Sequence, residues 1–139
     1  MSEKEKIIDL PRILDRRGNL SFIESENHIP FKIERCHWIY DVPGGEKRGG
    51  HAYKKNEEFI VALSGSFDVI INDGTAEKVY HLNRSYYGLY LPAMNWRQME
   101  NFSTNSLALV LSSMKYDAED YIRELPLFKR MKNAEDHSI

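Results

Sequence analysis

The chain has 139 residues, a formal charge of -2, 42% hydrophobic and 29% charged residues, which suits one globular domain with a core of its own. That balance leaves no basic stripe for a nucleic acid, and no stretch reaches the ~20 apolar residues of a membrane helix. The single cysteine, Cys36, cannot close an internal disulfide, which points to a reducing compartment and away from a disulfide-built secreted scaffold.

The first residues, Met-Ser-Glu-Lys-Glu-Lys, are charged and no apolar run follows them, so no signal peptide is predicted and a cytoplasmic protein is expected. Residues 18–24 alternate loosely. Residues 33–40 are rich in aromatic and branched side chains. Residues 57–63 and 66–71 flank Ser64-Gly65, a tight connection, and Asn72-Asp73-Gly74 is a turn signal before 78–82. Segments 86–91, 96–102 and 106–111 continue in the same style. Many short strands at regular spacing predict a sandwich or barrel. The tail changes character: Asp117 can cap a helix whose first turn holds Glu119 and Asp120. Tyr121, Ile122 and Leu125 would form its apolar side. Pro126 ends or kinks that helix, or starts a second short one through Lys132.

Chemistry concentrates between Gly45 and Gly65. Gly45 is followed by five residues and then His51, Tyr53 comes two later, Glu58 after four more, and Gly65 after six. This is the first cupin motif, G-x5-H-x-H-x3,4-E-x6-G, with Tyr53 at the second histidine. Pro92, Met94, Arg97 and Asn101 fall at the Pro, Gly, His and Asn of the second motif, P-x-G-x2-H-x3-N. Gly88 lies near its leading glycine, out of register. Side chains two apart in a strand share a face, so His51 and Tyr53 would face a barrel interior, with Arg97 projecting into it from another strand. The expected fold is mostly β: one cupin jelly-roll barrel over residues 1–139, core about 7–132, with a short C-terminal helical segment.

Two of the four metal-ligand positions of a cupin are therefore Tyr53 and Arg97. Arginine has no lone pair, and His51 with one carboxylate falls short of the three or four protein ligands that zinc or iron takes. No metal and no cofactor are expected. A histidine, a phenol and an arginine in a closed cavity suit proton transfer at a carbon acid, the arginine holding an anion.

The runs Asp15-Arg16-Arg17-Gly18, Arg48-Gly49-Gly50-His51-Ala52-Tyr53-Lys54-Lys55, Gly88-Leu89-Tyr90 and Tyr116-Asp117-Ala118-Glu119-Asp120-Tyr121-Ile122-Arg123 resemble the sugar-nucleotide 3,4-ketoisomerases, or WxcM-like cupins, over about residues 7–132. The resemblance implies metal-independent conversion of dTDP-4-keto-6-deoxyglucose to its 3-keto isomer, for deoxyamino sugars of surface polysaccharides. It also implies a homodimer with exchanged N-terminal strands, and arginines, tyrosines and the lysine pair binding the nucleotide diphosphate. Arg17 and Arg97 match positions that vary within the family and influence product stereochemistry. The family carries a histidine where this chain has Tyr53, and a bulky Phe where it has Gly50.

In such a reaction a base removes the hydrogen at C3 beside the 4-ketone, an enediolate forms, and a proton returns at C4. His51, with a reference pKa of ~6.5, suits the base. A tyrosine at ~10 is only ~0.1% ionised at pH 7, a handicap of ~4 kcal/mol, so Tyr53 is better cast as a neutral donor to the enediolate oxygen or as the acid at C4. His51 can also make both transfers alone. Arg17, Arg48 and Lys54 are candidate ligands for the pyrophosphate, Lys55 a solvated charge. Trp96 and Tyr90 are candidate partners for the thymine, or core. His28, His37, His81 and His137 read as structural or surface. A related dTDP-sugar epimerase, or a sugar-nucleotide-binding cupin that lost catalysis with Tyr53, are the alternatives.

Overall fold

Strand segments separated by turns dominate the chain, and the computed structural model describes residues 4–136 of it. The strands are β1 (Lys6–Asp9), β2 (Arg12–Ile13), β3 (Leu20–Ser21), β4 (Arg35–Tyr40), β5 (Arg48–Tyr53), β6 (Glu58–Ser64), β7 (Phe67–Asn72), β8 (Glu77–Leu82), β9 (Tyr87–Leu91), β10 (Trp96–Glu100), β11 (Leu107–Ser112) and β12 (Tyr121–Ile122), followed by the helix α1 (Leu125–Asp136). They build two five-stranded sheets of order β1-β9-β6-β11-β4 and β12-β5-β10-β7-β8, with β2 and β3 forming a separate hairpin. Every pairing within these sheets is antiparallel. This is the expected mostly-β jelly roll.

Turn chemistry sets the registers. Asn72 Oδ1 accepts from the Gly74 amide at 2.8 Å, and Asp73 Oδ1 accepts from the Thr75 and Ala76 amides at 2.9 and 3.0 Å. Side-chain acceptance of this kind satisfies turn amides that no strand can reach. These bonds hold the Asp73 carboxyl down at about 2.

Between the sheets the interior divides along the strands. At one end Ile60, Ala62, Phe67, Val69, Leu89 and Val110 form a buried apolar cluster. Phe67, for example, has no exposed surface, and burying such a ring contributes ~1.5–3 kcal/mol. Toward the other end the same inward positions turn polar. Cross-strand registers align Arg35, Ser112 and Glu58 in one row and His37, Val110 and Ile60 in the next. A row shares one face of the sheet, so the apolar core passes directly into a polar pocket.

Two further layers close the outer faces. Leu10, Ile29 and Phe31 cover Phe59, Val61, Tyr90 and Leu111 on the first sheet. On the second sheet, Phe128 of α1 packs with Ala52, Met94 and Ile122.

The C-terminal segment departs from expectation. Asp117 does cap, its carboxylate accepting from the Glu119 amide at 3.0 Å, but only a 3-10 turn over Ala118–Asp120 follows. Tyr121 and Ile122 are strand, not helix: they pair with Tyr53 and Ala52 at the edge of β5. The Asp120 carboxylate explains the switch, because it accepts from the amides of Lys55 and Asn56 at 3.0 Å each. That anchor lays the following residues alongside β5. The true helix starts at Leu125, with Pro126 in its first turn, where a missing amide costs nothing, and runs past Lys132 to Asp136.

Candidate active site

Arg97 and Glu58 form the framework of the polar pocket. They come from opposite sheets, β10 and β6, and their side chains are 2% and 1% exposed. Arg97 Nε donates to Glu58 Oε1 and Nη2 to Oε2, both at 2.9 Å, a two-pronged charged pair. Burial works against the guanidinium's charge, but Glu58 more than offsets it and holds Arg97 above its ordinary value. Nη1 donates to the Gly49 carbonyl at 3.3 Å. Gly49 has φ +72°, and a Cβ there would run into Nη1. A bulge accompanies it: β5 advances three residues, 48 to 51, while β10 advances two, 97 to 99. The Gly49-Gly50 pair of the motif is what lets β5 make that bend. Met94, at the motif's glycine position, itself adopts φ +61°, so the backbone keeps the conformation that glycine serves elsewhere.

His51 lies opposite Arg97 in the β5–β10 register. Its ring meets Tyr53 edge-on at 4.9 Å and Tyr121 at 5.0 Å, and the two tyrosine rings stand 4.7 Å apart. The Tyr53 hydroxyl reaches Glu58 Oε2 at 3.1 Å and lies 3.3 Å from the Tyr121 hydroxyl. Burial, then the Glu58 charge, pushes the Tyr53 phenol well above its usual range. His51 moves the opposite way: burial first, then Arg97, Arg123, His37 and Arg35, push it down to about 2. Its imidazole is neutral throughout the physiological range. His51 Nε2 and Ser112 Oγ are the buried side-chain polar atoms of the described residues that find no hydrogen-bond partner. Both belong to this pocket. Buried polar atoms are nearly always satisfied, so each of these two has room for a polar partner, water or ligand.

The donor set does not suit a divalent cation. Both Glu58 oxygens accept from Arg97, so an ion bound there would have to displace a guanidinium. Among the described residues no three His, Cys, Asp or Glu side chains converge.

The expected site residues divide accordingly. His51, Tyr53 and Arg97 come together. The Arg97 guanidinium, expected to hold a substrate anion, gives three of its five N–H groups to Glu58 and the Gly49 carbonyl. Trp96 is on the opposite face of β10 and packs toward Phe128, ring centres 6.0 Å apart. Tyr90 lies in the outer layer with Phe31 and Phe59, its hydroxyl donating to Glu57. Neither shares the pocket, because strand alternation turns each away from its inward neighbours. Arg48 is exposed and borders a cleft of about 440 Å³ with Trp38, Tyr40 and Lys47. Lys54 is exposed just beyond Tyr53. Arg17 lies on the β2–β3 hairpin connection, its Nη2 2.8 Å from Asp15.

Sequence reasoning missed Tyr121, Arg123, Arg35 and His37. The capping signal at Asp117 places Tyr121 in a helix, whereas it is strand. The Arg123 guanidinium stacks 4.2 Å from the Tyr121 ring centre. Arg35 and His37 alternate inward along β4. The signal for this last pair was present, since a period of two places 35, 37 and 39 on one face of a segment already read as strand.

Comparison with known proteins agrees with this geometry. The family model described as "FdtA: WxcM-like, C-terminal" matches residues 3–133. A curated TDP-4-oxo-6-deoxy-alpha-D-glucose-3,4-oxoisomerase from Aneurinibacillus thermoaerophilus is 41% identical over 127 residues, 91% of each chain. The solved TDP-quinovose 3,4-ketoisomerase WlaRB from Campylobacter jejuni superposes with a TM-score of 0.87 at 42% identity, covering 91% of this chain and 97% of that one. QdtA, a sugar 3,4-ketoisomerase from Thermoanaerobacterium thermosaccharolyticum solved with TDP, gives 0.93 at 32% identity, covering 97% and 98%. With a match over residues 3–133 and relatives covered over 91% or more of their lengths, the chain belongs to the WxcM-like FdtA family of sugar-nucleotide ketoisomerases.

Proposed function

We propose that the protein isomerises a dTDP-linked 4-keto-6-deoxyhexose to its 3-keto form through an enediolate, with His51 as the base. The observation that carries this reading is the buried, unpartnered Nε2 of a neutral imidazole. A general base must keep a lone pair free for its proton, and His51 keeps one at every physiological pH. Its low pKa measures the cost of a positive charge beside Arg97 in the ligand-free pocket. That cost falls in the reaction, because taking the C3 proton creates an enediolate anion alongside. Curated and solved relatives named for this isomerisation, at 41 and 42% identity, support the substrate class.

Tyr53 serves here as a positioning residue: it braces His51 edge-on while its hydroxyl is held by Glu58. Arg17, Arg48 and Lys54 remain the proposed ligands of the diphosphate. A homodimer with an exchanged N-terminal segment is part of the same proposal. In the single chain β1 pairs with its own β9; exchange of the N-terminal segment would deliver Arg17 to the partner's pocket. Exposed Ile13, Leu14, Leu20 and Trp38 supply apolar surface for such an interface.

The test is incubation with TDP-4-keto-6-deoxyglucose in D2O, followed by NMR. We expect the 3-keto product, deuterium at the carbons that lose and gain protons, and loss of both with His51→Asn. TDP binding without turnover in the wild-type protein would instead identify a binding module. Light scattering of the intact protein checks the dimer.

A further inference from the structure

Isomerisation of a 4-keto, 3-hydroxy sugar to a 3-keto, 4-hydroxy sugar moves two protons, not one. The carbon-bound hydrogen goes from C3 to C4, and the hydroxyl proton goes from O3 to O4. Electrons balance internally: the C3–H pair becomes the C3=C4 bond of the enediol while the C4=O π pair moves to O4. Then O3–H is lost, C3=O forms, and the C3=C4 pair takes a proton at C4. His51 accounts for the carbon-bound transfer. The second proton carrier expected from sequence, Tyr53, is poorly placed for the oxygen-bound one. Its single hydroxyl proton is committed to the Glu58 carboxylate, and Glu58's charge opposes its release.

The first sheet supplies another group. His37 sits on β4, inward-facing and partly buried, in the same row as Val110 and Ile60 and one row from Arg35, Ser112 and Glu58. It stands on the half-buried face of β4 that also carries Arg35, in the row next to Glu58. Arg35 Nη2 lies 3.3 Å from His37 Nδ1. An arginine is always a donor and never an acceptor, so Nδ1 must be the acceptor and the neutral ring carries its proton on Nε2. Burial, opposed by Glu58 and reinforced by Arg35, Arg97 and Arg48, lowers the His37 pKa and keeps the ring neutral. A neutral imidazole presenting an N–H is a known way to polarise a carbonyl and to pass a proton between neighbouring oxygens.

We propose, resting on the ketoisomerase reading above, that His37 is the second proton carrier: its Nε2–H goes to O4 of the substrate, and Nε2 takes back the proton of O3. Arg35 is the positioning residue that fixes the tautomer. His51 and His37 thus divide the reaction into a carbon relay from one sheet and an oxygen relay from the other. The chain recovers a two-histidine pocket although the motif's second histidine is Tyr53.

The experiment uses the full-length protein with TDP-4-keto-6-deoxyglucose in D2O, comparing wild type with His37→Phe. Isomerisation should fall ~10²–10⁴-fold, the usual cost of a lost acid–base group. The ratio of C3 deuterium uptake to product formed should rise at least tenfold, since the enediolate returns to C3 when O4 cannot be protonated. Isomerisation within threefold of wild type overturns the proposal. So does an equal fall in exchange and isomerisation, which a merely structural role produces. Should His37→Phe fail to fold, 15N NMR of histidine-labelled wild type decides: a neutral His37 ring with its proton on Nε2 supports the proposal, and one on Nδ1 overturns it. Wild-type protein without any isomerisation refutes the ketoisomerase reading itself, an outcome distinct from an active enzyme indifferent to His37.

Discussion

Glu58→Gln tests the framework of the pocket most directly. In the native chain the carboxylate accepts two 2.9 Å bonds from Arg97 and lies 3.1 Å from the Tyr53 hydroxyl. The substitution keeps the size but removes the charge and turns one acceptor into an amide donor facing a guanidinium or a phenol. Arg97, with 2% of its side chain exposed, is left as a buried charge without a counter-ion. Breaking such a pair by changing one partner costs ~3–5 kcal/mol, and the two charged bonds at ~1.5–3 kcal/mol each set a similar scale. That is a large share of the ~5–15 kcal/mol of a typical domain. Urea unfolding at fixed protein concentration measures it, so that any self-association contributes equally to each variant. The double change Glu58→Leu with Arg97→Met should recover at least ~2 kcal/mol of the loss, because a buried pair replaced by apolar groups is often neutral. A cost below ~1 kcal/mol for Glu58→Gln, or a double variant no better than the single, would show that the pair is not a buried strut.

Two further outcomes follow from the same geometry. His51 and His37 are both held below their unfolded pKa, His51 at about 2; the unfolded chain therefore binds more protons below ~6.5, and stability should fall as pH drops through that value, by up to ~1.4 kcal/mol per unit from His51. Thermal unfolding between pH 7 and 5 should show this, with His51→Asn flattening the slope; an unchanged slope counts against a buried neutral His51. Gly49→Ala places a side chain at φ +72° and against Arg97 Nη1, so it should cost at least the ~1–2 kcal/mol of a left-handed backbone and lower isomerase turnover by displacing the guanidinium from His51; wild-type stability in denaturant unfolding would refute this.

Much of this was legible in the sequence, and the parts that were not have physical causes. The Gly45–Gly65 spacing located β5 and the inward pair His51 and Tyr53, and the Pro92–Asn101 spacing brought Arg97 in from another strand, because strand periodicity and turn chemistry are local. Tyr121 was misread because its strand is two residues long and exists only through pairing with β5 and the long-range grip of Asp120 on the 55–56 amides. Helix signals around Asp117 were real but satisfied by a single 3-10 turn. Trp96 and Tyr90 went to other layers because which face of a strand is inward depends on the whole sandwich. The ion pair of Arg97 with Glu58 crosses between sheets, 39 positions apart in the chain; the motif spacings bring the two positions together, but the two-pronged bond itself depends on the packed sandwich.

The two motif departures act together. A histidine at position 53 and another at 97 would leave Glu58 with neutral neighbours and an electron-pair-rich cavity suited to a cation. Tyr53 and Arg97 instead bring one hydroxyl proton and one permanent positive charge to the same carboxylate. Their demands and Glu58's capacity match, so the network closes on itself with no net charge. What it leaves over is His51, whose Nε2 is excluded from the network and from solvent alike. A pocket that satisfies its own acid and its own cation and spares one imidazole suits proton transfer better than metal binding. That is why losing two ligand histidines is compatible with a working active site.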